Sequence, residues 1–264
     1  MRYGYVTGFA SPLKTGIDYP LLNSIKAAGF DFVEFPLTLL SALALDECER
    51  LAGKLRLLGL GADSCCNMFP ATLRITGPGR DWAACAGYLD TAFLRMRLLG
   101  VKKVVFGSTG ARNIPAGTTR QEGFDQVAEF VATCIVPLLE RFDVVLAMEP
   151  IGTYEANFLN TLDDGMRIVN SVRDTRVRLL ADSVHMLYEH EDPRRLQIYA
   201  DNLEHIHICE NDRALPLGEV SSGLEQILLT LGDIGYDKTL SFEPTPYPLD
   251  DMAYALRTVK AYFR

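Results

Sequence analysis

The sequence predicts a single (β/α)8 barrel spanning residues 1–264. Three observations carry this expectation. Short runs of Val, Ile, Leu and Phe recur along the chain, and amphipathic stretches charged on one face separate them. This is the alternation of βα units around a parallel sheet. The length of 264 residues and the 48% hydrophobic content suit one large barrel core better than two small ones. Four of the apolar runs end on a carboxylate or an imidazole, at the C-terminal rim where a parallel barrel keeps its chemistry.

Eight strands are expected, near Tyr3–Thr7, Phe32–Phe35, Gly61–Met68, Lys103–Phe106, Val144–Glu149, Val177–Asp182, His205–Cys209 and Thr239–Glu243. Helices fill the intervals. Over Asp81–Leu99, the residues Trp82, Leu89, Phe93, Met96 and Leu99 approximate one apolar stripe, and Arg120–Glu140 reads as one long helix before the fifth strand. Gly59, Gly100 and Gly235 each follow a helical pattern just before a strand and suit left-handed C-caps. Eight such units with right-handed crossovers close into a barrel rather than an open sheet.

The formal charge of −8 and pI near 5.1 argue against a nucleic-acid partner. No run of about 18 apolar residues argues for a membrane span, and the start MRYGYVTGFASPLK lacks a basic region followed by a long apolar core. A cytoplasmic location is expected. The six cysteines, Cys48, Cys65, Cys66, Cys85, Cys134 and Cys209, show no C-x-x-C spacing. They are read as reduced, mostly structural thiols.

The chemistry is concentrated at four strand ends. Glu149 closes Val144-Val145-Leu146-Ala147-Met148, Asp182 closes Val177-Arg178-Leu179-Leu180-Ala181, and Glu243 closes Leu240-Ser241-Phe242. One strand-end glutamate can as readily pair with an arginine or reach solvent. Three carboxylates on one rim repel one another, and a divalent cation is the simplest agent that relieves the repulsion. In Glu204-His205-Ile206-His207-Ile208, alternation sends both histidines into the barrel. His207 lies nearer the C-terminal rim and is the ligand candidate; His205, a layer deeper, is supporting or structural. The expected cofactor is one divalent ion, manganese first, with magnesium, cobalt or zinc as alternatives.

Motifs around these residues carry a resemblance. Glu149-Pro-Ile-Gly-Thr-Tyr-Glu155 runs on to Asn160-Thr161, Asp182-Ser-Val-His185-Met186 follows, then His207 with Arg213 six residues on, then Ser241-Phe242-Glu243. In this order and spacing, the second half of the chain resembles the xylose-isomerase-like TIM barrels of the sugar isomerase/epimerase and endonuclease IV superfamily. Within it the chain is most similar to the ketose 3-epimerases that act on D-tagatose and D-psicose. It departs from them at Gly152, where they commonly carry asparagine, and lacks their aromatic-bearing loop after strand four.

The resemblance implies that Glu149, Asp182, His207 and Glu243 bind the metal and that Glu155, His185 and Arg213 contact sugar oxygens. It implies a small sugar substrate and proton transfer through an enediolate, with Glu149 and Glu243 as the pair that exchanges the proton. Ketose 3-epimerisation leads. Aldose–ketose isomerisation, as in hydroxypyruvate-isomerase-like proteins, and dehydration of a keto-inositol remain alternatives on the same scaffold, as does a barrel that binds sugar without turning it over. The number of chains that assemble is open. Two further features are singled out. The glycine- and hydroxyl-rich segment Phe106–Pro115, with Arg112, is a candidate cradle for an anionic substrate end. Glu34, in Phe32-Val33-Glu34-Phe35, could face the cavity as a supporting acid.

Overall fold

In the computed structural model, which describes residues 1–7, 17–245 and 250–263, eight parallel strands pair in sequence order and close into a barrel. Residues 8–16 and 246–249 lie outside the described residues; the first range holds part of the amino-terminal stretch discussed above. The strands are β1 (Arg2–Val6), β2 (Phe32–Pro36), β3 (Ser64–Cys66), β4 (Lys103–Phe106), β5 (Val145–Met148), β6 (Val177–Asp182), β7 (Leu203–Ile208) and β8 (Thr239–Phe242).

One principal helix follows each strand: α1 (Tyr19–Ala28), α2 (Leu45–Leu58), α3 (Trp82–Leu99), α4 (Arg120–Phe130), α5 (Leu162–Val172), α6 (Ser183–Tyr188), α7 (Ser222–Asp233) and α8 (Met252–Lys260). Side-chain caps start several of them. Asp81 accepts from the Ala84 amide before α3, and Thr119 with Glu122 forms a capping box before α4. Gly59 and Gly100 end α2 and α3 in the left-handed conformation, and Gly235, two residues beyond α7, is left-handed as well.

Two elements differ from the sequence expectation. The helix after β4 is interrupted by a π-helical turn at Val131–Ile135 before it resumes over Val136–Phe142. Pro137 has no N–H to offer the carbonyl one turn back, and the wider turn absorbs the missing bond. β3 is shorter than the expected Gly61–Met68. Gly61 makes only an isolated bridge to Phe32, Asp63 turns to pair with Arg2 at 2.5 Å, and Asn67 adopts a left-handed φ of 46° that ends the strand.

Strand alternation divides the apolar residues into two cores. Leu203, Ile206 and Ile208 of β7 join the large core between barrel and helices, while Val6, Cys66, Val105, Ala147 and Leu180 pack together inside the barrel. The rest of the interior is polar. Glu34, Ser64, His205, His207 and Ser241 are all wholly buried there. The ring of the wholly buried Phe32 packs over Gly4 of β1, where an added Cβ would lie 2.1 Å from it, so glycine is what fits at that position.

Candidate metal centre and substrate cavity

His207 is the centre of the site. Its position on β7, directly beside Asp182 of β6 and Ser241 of β8 in the ladder, points the imidazole up the barrel axis. Nδ1 lies 3.2 Å from Glu149 Oε1, 3.8 Å from Asp182 Oδ2 and 3.6 Å from Glu243 Oε2. The candidate ligand atoms of these four residues all lie within 4.8 Å of one another. A cation held about 2.0–2.2 Å from each ligand places neighbouring ligand atoms roughly 3.0–3.6 Å apart, so the donors stand close to the separations an ion requires.

Each carboxylate is held by its local structure. Asp182 is the N-cap of α6: Oδ1 accepts from the amides of Val184 at 2.6 Å and His185 at 3.2 Å, which leaves Oδ2 for the centre. Glu149 and Glu243 continue their strands by one residue, through long amide bonds to the carbonyls of Phe106 and Ile208. Gly107 makes room for Glu149, because a Cβ there would stand 1.8 Å from Glu149 Oε2.

The electrostatics favour a cation. Burial, with the charges of Asp182 and Glu149 added, pushes the Glu243 carboxyl up to about 8 against the pull of His207 and Arg213. Burial also disfavours the ionised Asp182, but His185, Arg213 and His207 outweigh it and hold that carboxyl below its ordinary value. Crowded, buried and oxygen-rich, the set fits a divalent ion that takes oxygen ligands plus one imidazole.

Above the four ligands opens a cavity of about 330 Å³, within the range of small-molecule sites. Its wall includes Glu155, His185 and Arg213, so all seven residues singled out in the sequence come to one place. Arg213 adopts a left-handed φ of 62° in the loop after β7. Its guanidinium sits 3.0 Å from Glu243 Oε2 and 3.5 Å from Glu155 Oε1. Burial works against its charge, and Asp182, Glu243 and Tyr154 outweigh that and raise its pKa above the ordinary value. His185, in the first turn of α6, is nearly buried, with Nε2 4.0 Å from Asp182. Asn160 supports the loop that carries Glu155 by donating to the carbonyls of Ile151 and Ala156, and Thr161 caps α5.

Sequence reasoning missed Tyr154. Its hydroxyl lies 3.1 Å from His185 Nδ1 and accepts from Arg213 at 3.3 Å, tying together two of the candidate substrate contacts. Gly152 permits this, since a Cβ there would come within 2.6 Å of the tyrosine ring. The departure from asparagine at that position therefore has a local physical reason, and the pair Gly152 and Tyr154 was the only available signal.

The expected anion cradle after β4 is corrected at Arg112. That side chain is wholly buried and donates to the carbonyls of Phe106 at 2.7 Å and Glu149 at 2.6 Å, while Nε has no hydrogen-bond partner among the described residues. It ties together the ends of β4 and β5 and, so buried, is not among the residues that line the cavity. The start of the segment does reach the site: Gly107, Ser108 and Thr109 line the cavity, with Ser108 Oγ accepting from the Phe69 amide at 2.8 Å. His205 and Glu34 do lie beneath the site, hydrogen-bonded at 2.8 Å. All six cysteines are free, and only Cys134 is partly exposed. Among the described residues no helix is long and apolar enough to cross a membrane.

Known proteins resemble this chain in family and in fold. The family described as xylose isomerase-like TIM barrel matches residues 22–262. A D-psicose 3-epimerase of Enterocloster bolteae is 32% identical over 106 residues, 40% of this chain and 35% of that protein. A probable ketose 3-epimerase of Synechocystis sp. is 27% identical over 165 residues, 57% of this chain and 53% of that one. The matched segments thus span about a third to a half of these relatives. The crystal structure of a D-psicose 3-epimerase from Clostridium cellulolyticum H10 with D-tagatose superimposes with a TM-score of 0.86 over all of both chains at 19% identity. With a family model matching residues 22–262 and eight parallel strands closed into a barrel, the chain belongs to the xylose isomerase-like TIM barrel family.

Proposed function

We propose that this protein is a divalent-metal-dependent sugar isomerase or epimerase, and that its reaction is 3-epimerisation of a small ketose through an enediolate. The observation that carries the reading is the convergence of Glu149, Asp182, His207 and Glu243 on one point at the floor of a cavity walled by Arg213, His185 and Glu155. Relatives similar in sequence point the same way, since two of them carry epimerase names.

In this reading Glu149, Asp182, His207 and Glu243 hold the ion, which when bound supplies electrostatic stabilisation for the oxygens of the developing enediolate. Glu149 and Glu243 are the bases: one takes the proton from the carbon next to the carbonyl and the other returns it on the opposite face. Arg213, fixed against Glu243, orients the substrate's oxygens and shares their negative charge. His185 and Glu155 donate to or accept from neighbouring hydroxyls. The reduced thiols fit a cytoplasmic setting.

Incubating the protein with D-fructose, D-psicose, D-tagatose and common aldoses in deuterated water, with and without Mn²⁺, tests the reading by NMR. Metal-dependent deuterium at C3 with interconversion of C3 epimers is the expected result. Deuterium at C2 of an aldose product assigns aldose–ketose isomerisation, loss of water assigns a dehydratase, and no exchange with any sugar argues for a barrel that only binds.

A further inference from the structure

Beneath the four candidate ligands, the barrel axis holds a polar group to which the proposed reaction gives no task. Glu34, on β2, is wholly buried. Its Oε2 accepts from Ser64 Oγ at 2.8 Å and Ser241 Oγ at 2.6 Å and faces His205 Nε2 at 2.8 Å. Its Oε1 faces the other side of the metal-ligand histidine, His207 Nε2, at 3.2 Å. A carboxylate sealed from water is costly to bury unless donors satisfy it, and here side chains from three strands do so.

The direction of each proton follows from what the groups can donate. Lys103 Nζ has only protons to give, and it donates to Thr239 Oγ1 at 2.5 Å and to the Glu204 carbonyl at 2.8 Å. Thr239 Oγ1 in turn lies 2.7 Å from His205 Nδ1. The carboxylate of Glu34 only accepts, so His205 carries a proton on Nε2, while its Nδ1 faces both the hydroxyl and, at 3.0 Å, the carbonyl of Thr239. The same reasoning puts a proton on His207 Nε2. On the other side Nδ1 faces Glu149 Oε1 at the same 3.2 Å, with Asp182 and Glu243 beyond; a cation held by those carboxylates would take the Nδ1 lone pair and leave the ring's one proton on Nε2, toward Glu34.

We propose that Glu34, anchored on His205, is a positioning residue for the metal centre: it fixes the tautomer and tilt of His207 so that Nδ1 faces the cation. Carboxylates placed behind a ligating imidazole act in this way and raise its basicity as a ligand. Glu34, His205 and His207 also lie close enough together to hold an ion of their own. Their hydrogen bonds speak against that use, because each polar atom facing the cluster is already engaged as donor or acceptor.

The inference rests on reading Glu149, Asp182, His207 and Glu243 as a cation site, and two measurements test it. In the ¹⁵N-histidine-labelled, Mg²⁺-loaded protein, which has four histidines, two-bond ¹H–¹⁵N spectra are expected to show His207 protonated at Nε2 with a low-field proton. Protonation at Nδ1 overturns the proposal. Mn²⁺ titration followed by EPR compares the wild type with E34Q, whose amide has one acceptor side and one donor side and cannot accept from both histidines. The Kd is expected to rise by about 10–100-fold, whereas a change within about twofold, against the same principle, overturns it. The NMR measurement needs no variant and decides the matter if E34Q does not fold. If the wild type itself binds no Mn²⁺, the four-residue site falls and this proposal falls with it; if only E34Q is unaffected, the site stands and Glu34 is packing.

Discussion

Gly107→Ala is a one-carbon perturbation whose effect on the site follows from geometry. The added Cβ would lie 1.8 Å from Glu149 Oε2 and 2.9 Å from its carboxyl carbon. Carbon and oxygen atoms in ordinary contact stay about 3.3 Å or more apart, so the carboxylate must retreat by roughly 1.5 Å. That is more than half of a ligand-to-cation distance of about 2.0–2.6 Å. The backbone at Gly107 does not have a positive φ, so alanine meets no conformational objection. What must move is the end of a flexible side chain, and the cost to folding should stay near the 1–3 kcal/mol typical of mild overpacking, or about that. The expected outcome is a folded protein with Mn²⁺ affinity weakened about 10–100-fold and kcat/KM on the preferred ketose lowered by about 10²-fold or more, as for a misplacement of about 1 Å. Isothermal calorimetry with Mn²⁺ and steady-state kinetics at saturating metal read both quantities. A variant that keeps wild-type affinity and turnover would refute the placement of Glu149 in the centre.

Three further perturbations probe other parts of the account. E149Q and E243Q keep one oxygen ligand each but lose the base, so turnover should fall by about 10²–10⁴-fold even with the metal restored by excess; unchanged deuterium exchange in both would put the proton on another group. H185A and R213A should keep near-normal Mn²⁺ content while kcat/KM falls, and loss of metal along with activity would move the residue into the ligand set. Glu191 reports pH-linked stability: burial, with the nearby charges of Asp163 and Asp164, pushes its carboxyl up to about 7 although it accepts from the Leu162 amide at 3.0 Å. A raised carboxylate contributes stability below its unfolded value near 4.5 and loses it as pH rises through 7. Urea unfolding should therefore show the wild type losing roughly 1–3 kcal/mol more than E191Q between pH 5 and pH 8, and parallel losses in the two proteins would contradict this.

The barrel and its candidate metal ligands were legible because one rule serves both. An apolar run that stops on Glu149, Asp182 or Glu243 marks a strand and also places its last side chain on the rim, and alternation alone put His207 in the interior. Other contacts depend on where a side chain folds in three dimensions. Arg112, beside two glycines and two hydroxyls, reads as a substrate contact, yet it turns inward because the carbonyls of Phe106 and Glu149 need donors. Tyr154 was invisible as a site residue because its reach toward His185 and Arg213 depends on the space left by Gly152. Glu34 could be suspected from the pattern of β2, but its partners come from β3, β7 and β8, and no local pattern pairs residues so far apart in sequence. Arg120–Glu140 reads as one helix although Pro137 lies within it, and only the backbone shows the π turn at Val131–Ile135 that precedes the proline.

The central claim is that four side chains from four consecutive strands hold one cation. Crystals grown with Mn²⁺ and measured at a wavelength where manganese scatters anomalously test it most directly. The account predicts one anomalous peak at the C-terminal mouth of the barrel, about 2.0–2.6 Å from His207 Nδ1 and from oxygens of Glu149, Asp182 and Glu243. A fully occupied manganese bound elsewhere, or one at this mouth that any of the four fails to touch, would contradict it.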